Sequence, residues 1–311
     1  MSAPDITVEL CGFRLRTPFV LAAGILGTTA ALLERVARHG AGAVTCKSCS
    51  VEPRKGHPNP TVLPWQGGLI NAVGLANPGA EAMVGILREA RERCAPLGVP
   101  VIASVFGDTA PAFGEVTRIL EAAAPDLYEV NISCPNVEAE FGRPFAADPC
   151  QAAAAMAAVR AATRRPVIVK LSANVSDICA VARAAVDAGA DAIAAINTLG
   201  PGMLIDIRAR APVLANRVGG LSGPASRPVA VRCVYDLSRA VRVPIVGMGG
   251  VMTGEDAVEM IMAGATAVGV GSAFYERGME ALELMAAELS AFMVEQGYGT
   301  AGAMRGVAHG A

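Results

Sequence analysis

Histidine is scarce in this sequence. The three present, His39, His57 and His309, stand apart from one another and from any cluster of Asp and Glu, so neither a Ser-His-Asp hydrolase nor a catalytic zinc site finds support. An excess of one charge is missing too. With 26 Lys and Arg against 28 Asp and Glu, the formal net charge of -2 creates no basic field for phosphate backbones or anionic lipid, and nucleic acid is not an expected partner. No apolar run reaches the roughly 18 residues that a bilayer span requires. The opening "MSAPDITVEL" lacks the basic and apolar regions of a signal peptide, and the expectation is a cytoplasmic protein without membrane contact. Eight cysteines are scattered through a chain that is 53% hydrophobic, so a disulfide framework is not needed, and most of them read as small buried hydrophobes. No linker or low-complexity run marks a second domain, and residues 1–311 read as a single unit.

What is present is a rhythm. Short apolar runs ending in Gly, Ser, Asn or Thr recur eight times: "PFVLAAG" (18–24), "AVTCKS" (43–48), "PVIASVFG" (100–107), "LYEVNISCP" (127–135), "PVIVKLS" (166–172), "AIAAINT" (192–198), "PIVGMGG" (244–250) and "AVGVGS" (267–272). Ala-rich segments with helical spacing lie between them, several ending at a glycine suited to a C-cap. Continuous apolar strands alternating with helices imply a parallel sheet covered by helices, and eight such units fit a (β/α)8 TIM barrel better than a doubly wound open sheet. Two Pro- and Gly-rich inserts, 51–79 and about 199–223, interrupt the rhythm after strands and are expected over the catalytic rim.

In a barrel, the polar residues at the strand ends gather on one rim. Here they are Lys47 and Ser48, Asn131, Ser133 and Cys134, Lys170, Asn197 and Thr198, Gly249 and Gly250, and Gly271 and Ser272. Glycine pairs after the last two strands suit backbone contacts to a phosphate, because the chain approaches oxygen closely only where side chains are small. Lys170 closes the run "VIVK", where a charged amine needs an anionic or electron-rich partner unless it snorkels to water. Lys47 poses the same choice. The "CKSC" run, 46–49, has C-x-x-C spacing, but no second pair completes a four-sulfur site, and both thiols read as structural.

Taken in order, "AAG", "KS" with "PRKG", "NAVGLANPG", "NISCPN", "VIVKLS", "INT", "GGLSGPA", "GMGG" and "GVGS" resemble the class 1 dihydroorotate dehydrogenases over nearly the whole chain. "NVEAEFG" and the second insert are most similar to the heteromeric, NAD-linked class 1B branch. That resemblance implies an FMN-binding catalytic subunit that oxidises (S)-dihydroorotate to orotate in pyrimidine biosynthesis. It also implies a homodimer within a heterotetramer, with FAD and a [2Fe-2S] cluster on a partner subunit. The chain itself has neither a dinucleotide fingerprint nor cluster cysteine spacing, which fits such a division. A fumarate-using homodimer, or a relative acting on another pyrimidine, is the near alternative; a flavin-binding scaffold without catalysis is a third reading.

By the same resemblance, Cys134 is the base. A thiol suits proton removal if its pKa falls toward neutrality. Substrate contacts fall on Lys47, Asn71, Ala72, Val73, Gly74, Leu75, Asn131, Asn136, Asn197 and Thr198, since an amide side chain supplies both a donor and an acceptor to a pyrimidine edge. FMN contacts fall on Ala23, Gly24, Lys47, Ser48, Ser104, Asn131, Lys170, Ile196, Gly223, Gly249, Gly250, Gly271 and Ser272. No metal is implied. Three departures from the family pattern stand out: Ser104 in place of a usual Asn, Ala173 in place of Pro, and His57 in "GHPNPT".

Overall fold

The structure, a computed structural model, describes residues 3–133 and 145–310. Eight parallel strands close into a barrel in which sequence neighbours are also spatial neighbours. They are β1 (Phe19–Leu21), β2 (Ala43–Thr45), β3 (Val101–Val105), β4 (Leu127–Asn131), β5 (Val167–Leu171), β6 (Ala192–Ala195), β7 (Ile245–Met248) and β8 (Ala267–Val270). Each apolar run of the sequence holds one strand, and closure decides against the open sheet. Around the barrel lie α1 (Ala30–Arg38), α2 (Ala80–Cys94), α3 (Ala110–Leu120), α4 (Pro149–Ala162), α5 (Ile178–Asp187), α6 (Arg227–Ala240), α7 (Gly254–Met262) and α8 (Ala281–Gln296). Local chemistry starts several of them. Thr29, Thr109, Asp148 and Asp177 each accept a backbone N–H in the first turn, and Thr253 with Asp256 forms a reciprocal capping box at α7. No helix among the described residues is long and apolar enough to cross a membrane.

Side chains along a strand alternate between faces, so each barrel strand feeds two different cores. In β4, Tyr128 and Val130 point outward and pack with the helix layer, where Phe113, Val116, Met156 and Val159 are buried. Leu127, by contrast, joins an interior cluster with Val20, Ile102, Ile168, Ala194 and Val246. A hairpin of Val8–Leu10 and Phe13–Leu15 caps the N-terminal end, adding Leu10 and Leu15 to that cluster. Gly42, just before β2, lets strand and hairpin approach: a Cβ there would stand 2.1 Å from the Thr17 carbonyl oxygen. The lower barrel is thus apolar and closed, and only the opposite end is left for a ligand.

The two inserts meet over that end. Val62–Trp65 and Gly68–Asn71 form a hairpin, and Gly68–Asn71 pairs with Gly219–Ser222, which pairs with Leu199–Gly202. The result is a four-stranded antiparallel sheet built from segments about 150 residues apart in sequence, with Gly220 opposite Asn71. Its close contacts brace Asn71 and Thr198 against each other: Asn71 Nδ2 donates to the Gly220 carbonyl at 3.2 Å, and a Cβ on Gly220 would meet Thr198 Oγ1 at 2.2 Å.

Because Leu127 lies directly beneath the polar part of the barrel, Leu127→Ala should cost about 2–5 kcal/mol, the range for a large core side chain cut to a methyl. A denaturant titration followed by circular dichroism measures the shift; an unchanged midpoint would contradict the packed interior.

Candidate active site

The open end of the barrel holds a cavity of about 200 Å³. Ala23, Gly24, Lys47, Ser48, Asn71, Val73, Gly74, Leu75, Asn131, Lys170, Ile196, Asn197, Thr198, Gly249, Gly250, Gly271 and Ser272 all line it. Three residues expected at the site are placed otherwise. Ala72 is buried beside Ile70 and Leu214 beneath the rim sheet, and Gly223 sits behind the cavity wall, its α-carbon facing Gly68. Ser104 lies inside the barrel, one layer below the cavity. Cys134 and Asn136 lie outside the described residues. Ile25, Val62, Leu221, Ser222, Ser226, Met248 and Val251 also line the cavity without having been singled out by sequence. Only proximity to a strand end could have suggested Met248 and Val251, and the rim residues carry no local signal.

The interior changes character toward this end. Above Leu127, the next inward positions of β4 are Glu129 and Asn131; above Ile168 in β5 comes Lys170, and above Ile102 in β3 comes Ser104. These groups satisfy one another in a single directed chain. Asn197 Nδ2 donates to Ser133 Oγ at 2.9 Å, and Ser133 Oγ donates to Asn131 Oδ1 at 3.1 Å. Asn131 Nδ2 then donates to Ser48 Oγ at 3.1 Å, Ser48 Oγ lies 2.8 Å from Ser104 Oγ, and Ser104 Oγ donates to Glu129 Oε1 at 2.9 Å. The Asn and Ser residues of four strand ends are thereby held in fixed orientations before any ligand arrives. Glu129 is the member that sequence reading passed over. Its signal was its place two residues before Asn131 in "LYEVN", which puts a charge on the inward face.

Lys170 differs from its neighbours. It is 5% exposed, lines the cavity, and no hydrogen bond or ion pair with another described residue engages its ammonium. A buried cation left so is costly unless a ligand supplies electron density. Lys47 approaches the other side, its Nζ 3.9 Å from where a Cβ on Gly24 would be. The C-x-x-C thiols stay out of this chemistry. Cys46 and Cys49 are both buried, burial pushes the Cys46 thiol up to about 12, and Cys46 Sγ accepts from the Ser104 amide at 3.3 Å.

After β7 the backbone turns through Gly249 (φ 128°) and Gly250 (φ 71°), both in the region that favours glycine. A Cβ on Gly250 would lie 2.6 Å from the Gly223 carbonyl oxygen. The loop beyond is held from behind: Asp256 Oδ2 accepts from the amides of Met252 (2.8 Å) and Thr253 (3.0 Å), and Arg227 pairs with the same carboxylate. The amides of Gly250 and Val251, which line the cavity, donate to no described residue. Free backbone donors beside side-chain-free positions make a phosphate cradle.

A family profile described as dihydroorotate dehydrogenase matches residues 5–293. The chain belongs to the dihydroorotate dehydrogenase family. Within it, the chain is 48% identical over 301 residues to the catalytic subunit of dihydroorotate dehydrogenase B (NAD(+)) from Methanosarcina mazei, covering 96% of this chain and 94% of that one. The catalytic subunits of the same name from Methanothermobacter thermautotrophicus and Geobacter sulfurreducens are 44% and 43% identical, each over 304 residues. Those alignments cover 98% of both chains in the first case and 96% of both in the second. Class 1B is the branch these relatives define. The departures from the family pattern are accommodated locally: the His57 amide donates to the Val73 carbonyl at 3.1 Å and its ring packs against Gly74, while Ala173 packs partly buried against the main core.

Gly250→Ala forces a side chain into a left-handed turn and against the Gly223 carbonyl, so the cradle must shift. FMN retained through purification should fall by about tenfold, a loss of the order set by one or two strained contacts. Flavin released per mole of folded protein, read by absorbance, checks this.

Proposed function

We propose that this chain is the FMN-holding catalytic subunit of an NAD-linked dihydroorotate dehydrogenase, oxidising (S)-dihydroorotate to orotate in pyrimidine biosynthesis. The observation that carries the reading is the buried Lys170, without a partner among the described residues, in a cavity that also holds the asparagine chain and the glycine cradle. The residues present fit FMN: Gly249, Gly250, Gly271 and Ser272 for the phosphate, and Lys170, Lys47 and Ser48 toward the ring. When bound, FMN supplies a two-electron acceptor for the hydride that leaves the substrate ring.

The chain's own residues do the rest. Asn71, Asn131 and Asn197 line the cavity with their side chains fixed by internal hydrogen bonds, and Asn131 and Asn197 each keep an Nδ2 proton for the pyrimidine edge and carboxylate of dihydroorotate. Cys134 follows directly in sequence on Ser133, which is buried and tied to both Asn131 and Asn197. As a thiolate it takes the proton from the ring carbon adjacent to the carbonyl, while the neighbouring carbon gives up a hydride. One hydrogen thereby leaves each carbon: the pair left behind by the proton forms the double bond of orotate, and the other pair leaves with the hydride. The Lys170 ammonium offsets negative charge gathered on the ring system after reduction. A second subunit, which would hold FAD and a [2Fe-2S] cluster, would link this site to NAD, with the catalytic chains paired inside a heterotetramer.

Anaerobic addition of dihydroorotate should bleach the flavin absorbance of the purified protein; an unbleached band would reject the substrate assignment. Cys134→Ser should keep its flavin and lose on the order of 10² or more in turnover. Lys170→Met should lower the flavin midpoint potential, since it withdraws the cation that favours the reduced ring, and spectroelectrochemistry reads the shift. NAD reduction should appear only when the electron-transfer subunit is added, and equal turnover with fumarate alone would favour the homodimeric branch instead.

A further inference from the structure

Glu129 is a carboxylate inside the barrel, 3% exposed, with no place in the reaction just described. Among the described residues it is engaged by Ser104, whose hydroxyl donates to Oε1 at 2.9 Å. A serine hydroxyl has one proton. Because Ser104 spends its proton on Glu129, the 2.8 Å contact between Ser104 and Ser48 can be made only with Ser48 as the donor. Ser48 has then spent its proton as well, and of its two lone pairs one is taken by Asn131 Nδ2 at 3.1 Å. What Ser48 turns to the cavity is a lone pair.

Asn131 is constrained in the complementary sense. Its Oδ1 accepts from both the Ser133 amide at 3.3 Å and the Ser133 hydroxyl at 3.1 Å, which occupies the oxygen. One Nδ2 proton goes to Ser48, and one remains. The cavity floor therefore presents an acceptor on Ser48 beside a donor on Asn131, a pattern that matches the adjacent N–H and C=O of a ring imide. Were Ser48 free to rotate, its hydroxyl could serve either way and the pattern would be lost.

We propose that Glu129 is a positioning residue that, acting through Ser104, fixes the hydrogen-bond polarity of Ser48 and Asn131 so that the cavity floor reads the N–H/C=O edge of a pyrimidine-type ring. This rests on the functional reading above, in which two ligands, the flavin and dihydroorotate, both carry such an edge. The carboxylate suits the task because it only accepts, and its burial keeps water from supplying a competing proton. Ser104 is the coupling element, which gives a physical meaning to its departure from the family pattern: its short side chain spans the gap to Ser48 without entering the cavity.

The test compares wild type with Ser104→Ala, which cuts the chain, and Ser104→Thr, which keeps the hydroxyl. FMN is titrated onto each apoprotein by fluorescence, the absorption band of the bound flavin is recorded, and the KM for dihydroorotate is measured on the reloaded protein. Ser104→Ala should weaken FMN binding by about tenfold and displace the band, with Ser104→Thr recovering both, the scale of one misplaced buried hydrogen bond. A tenfold rise in KM with FMN affinity retained, again recovered by Thr, would support the proposal with the substrate as the ring that is read. Affinity, band and KM all within twofold of wild type in folded Ser104→Ala would overturn it, and so would an equal loss in the Thr variant, which would make Ser104 a packing residue. Should Ser104→Ala not fold, Glu129→Met, similar in length and without an oxygen acceptor, is read in the same way: an unshifted band and unchanged KM overturn the proposal. Wild-type apoprotein that takes up no FMN would instead overturn the functional reading itself.

Discussion

The interior of an eight-stranded barrel is too narrow for bulk water, and every side chain that points into it must be satisfied by another. Much of this protein follows from that constraint. In the lower layers the requirement is met by Val20, Ile102, Leu127, Ile168 and Val246, which need only packing. Higher up, Ser104, Glu129 and Asn131 turn inward, and polar groups there have to find partners across strands. The directed chain from Asn197 to Glu129 is the solution, and it delivers oriented amides to the cavity as a by-product of satisfying the interior.

Lys170 marks where that solution stops. Every other inward polar group in its layer is engaged within the protein, whereas its ammonium faces the cavity without a described partner. The polar groups that hold the structure bond to one another, and the ammonium is left facing the cavity. The glycine cradle obeys the same division. Asp256 and Arg227 occupy the amides at the back of the loop, and the front amides of Gly250 and Val251 stay available.

The rim sheet adds a second kind of support. Hydrogen bonding between Gly68–Asn71 and Gly219–Ser222 ties the first insert to the second, so Asn71 and Thr198 are placed by one sheet rather than by two independent loops. Gly220 and Gly223 matter there for their lack of side chains, since each passes within 3 Å of what a Cβ would require.

The eight strands, their parallel order, the rim on which Lys47, Asn131, Lys170 and Asn197 meet, and the family were all legible along the chain, because apolar periodicity and strand-end motifs are local signals that survive in one dimension. The two-residue period of "LYEVN" carried a signal for Glu129 as well, although Glu129 was not singled out from it. Folding in three dimensions was needed to show that the two inserts share a sheet, that Ser104 sits below the cavity, and that Glu129 terminates a chain beginning at Asn197. Those facts depend on which atoms of different strands come within 3 Å of one another. Such distances are set by barrel closure and register, and no residue carries them in its own neighbourhood along the chain.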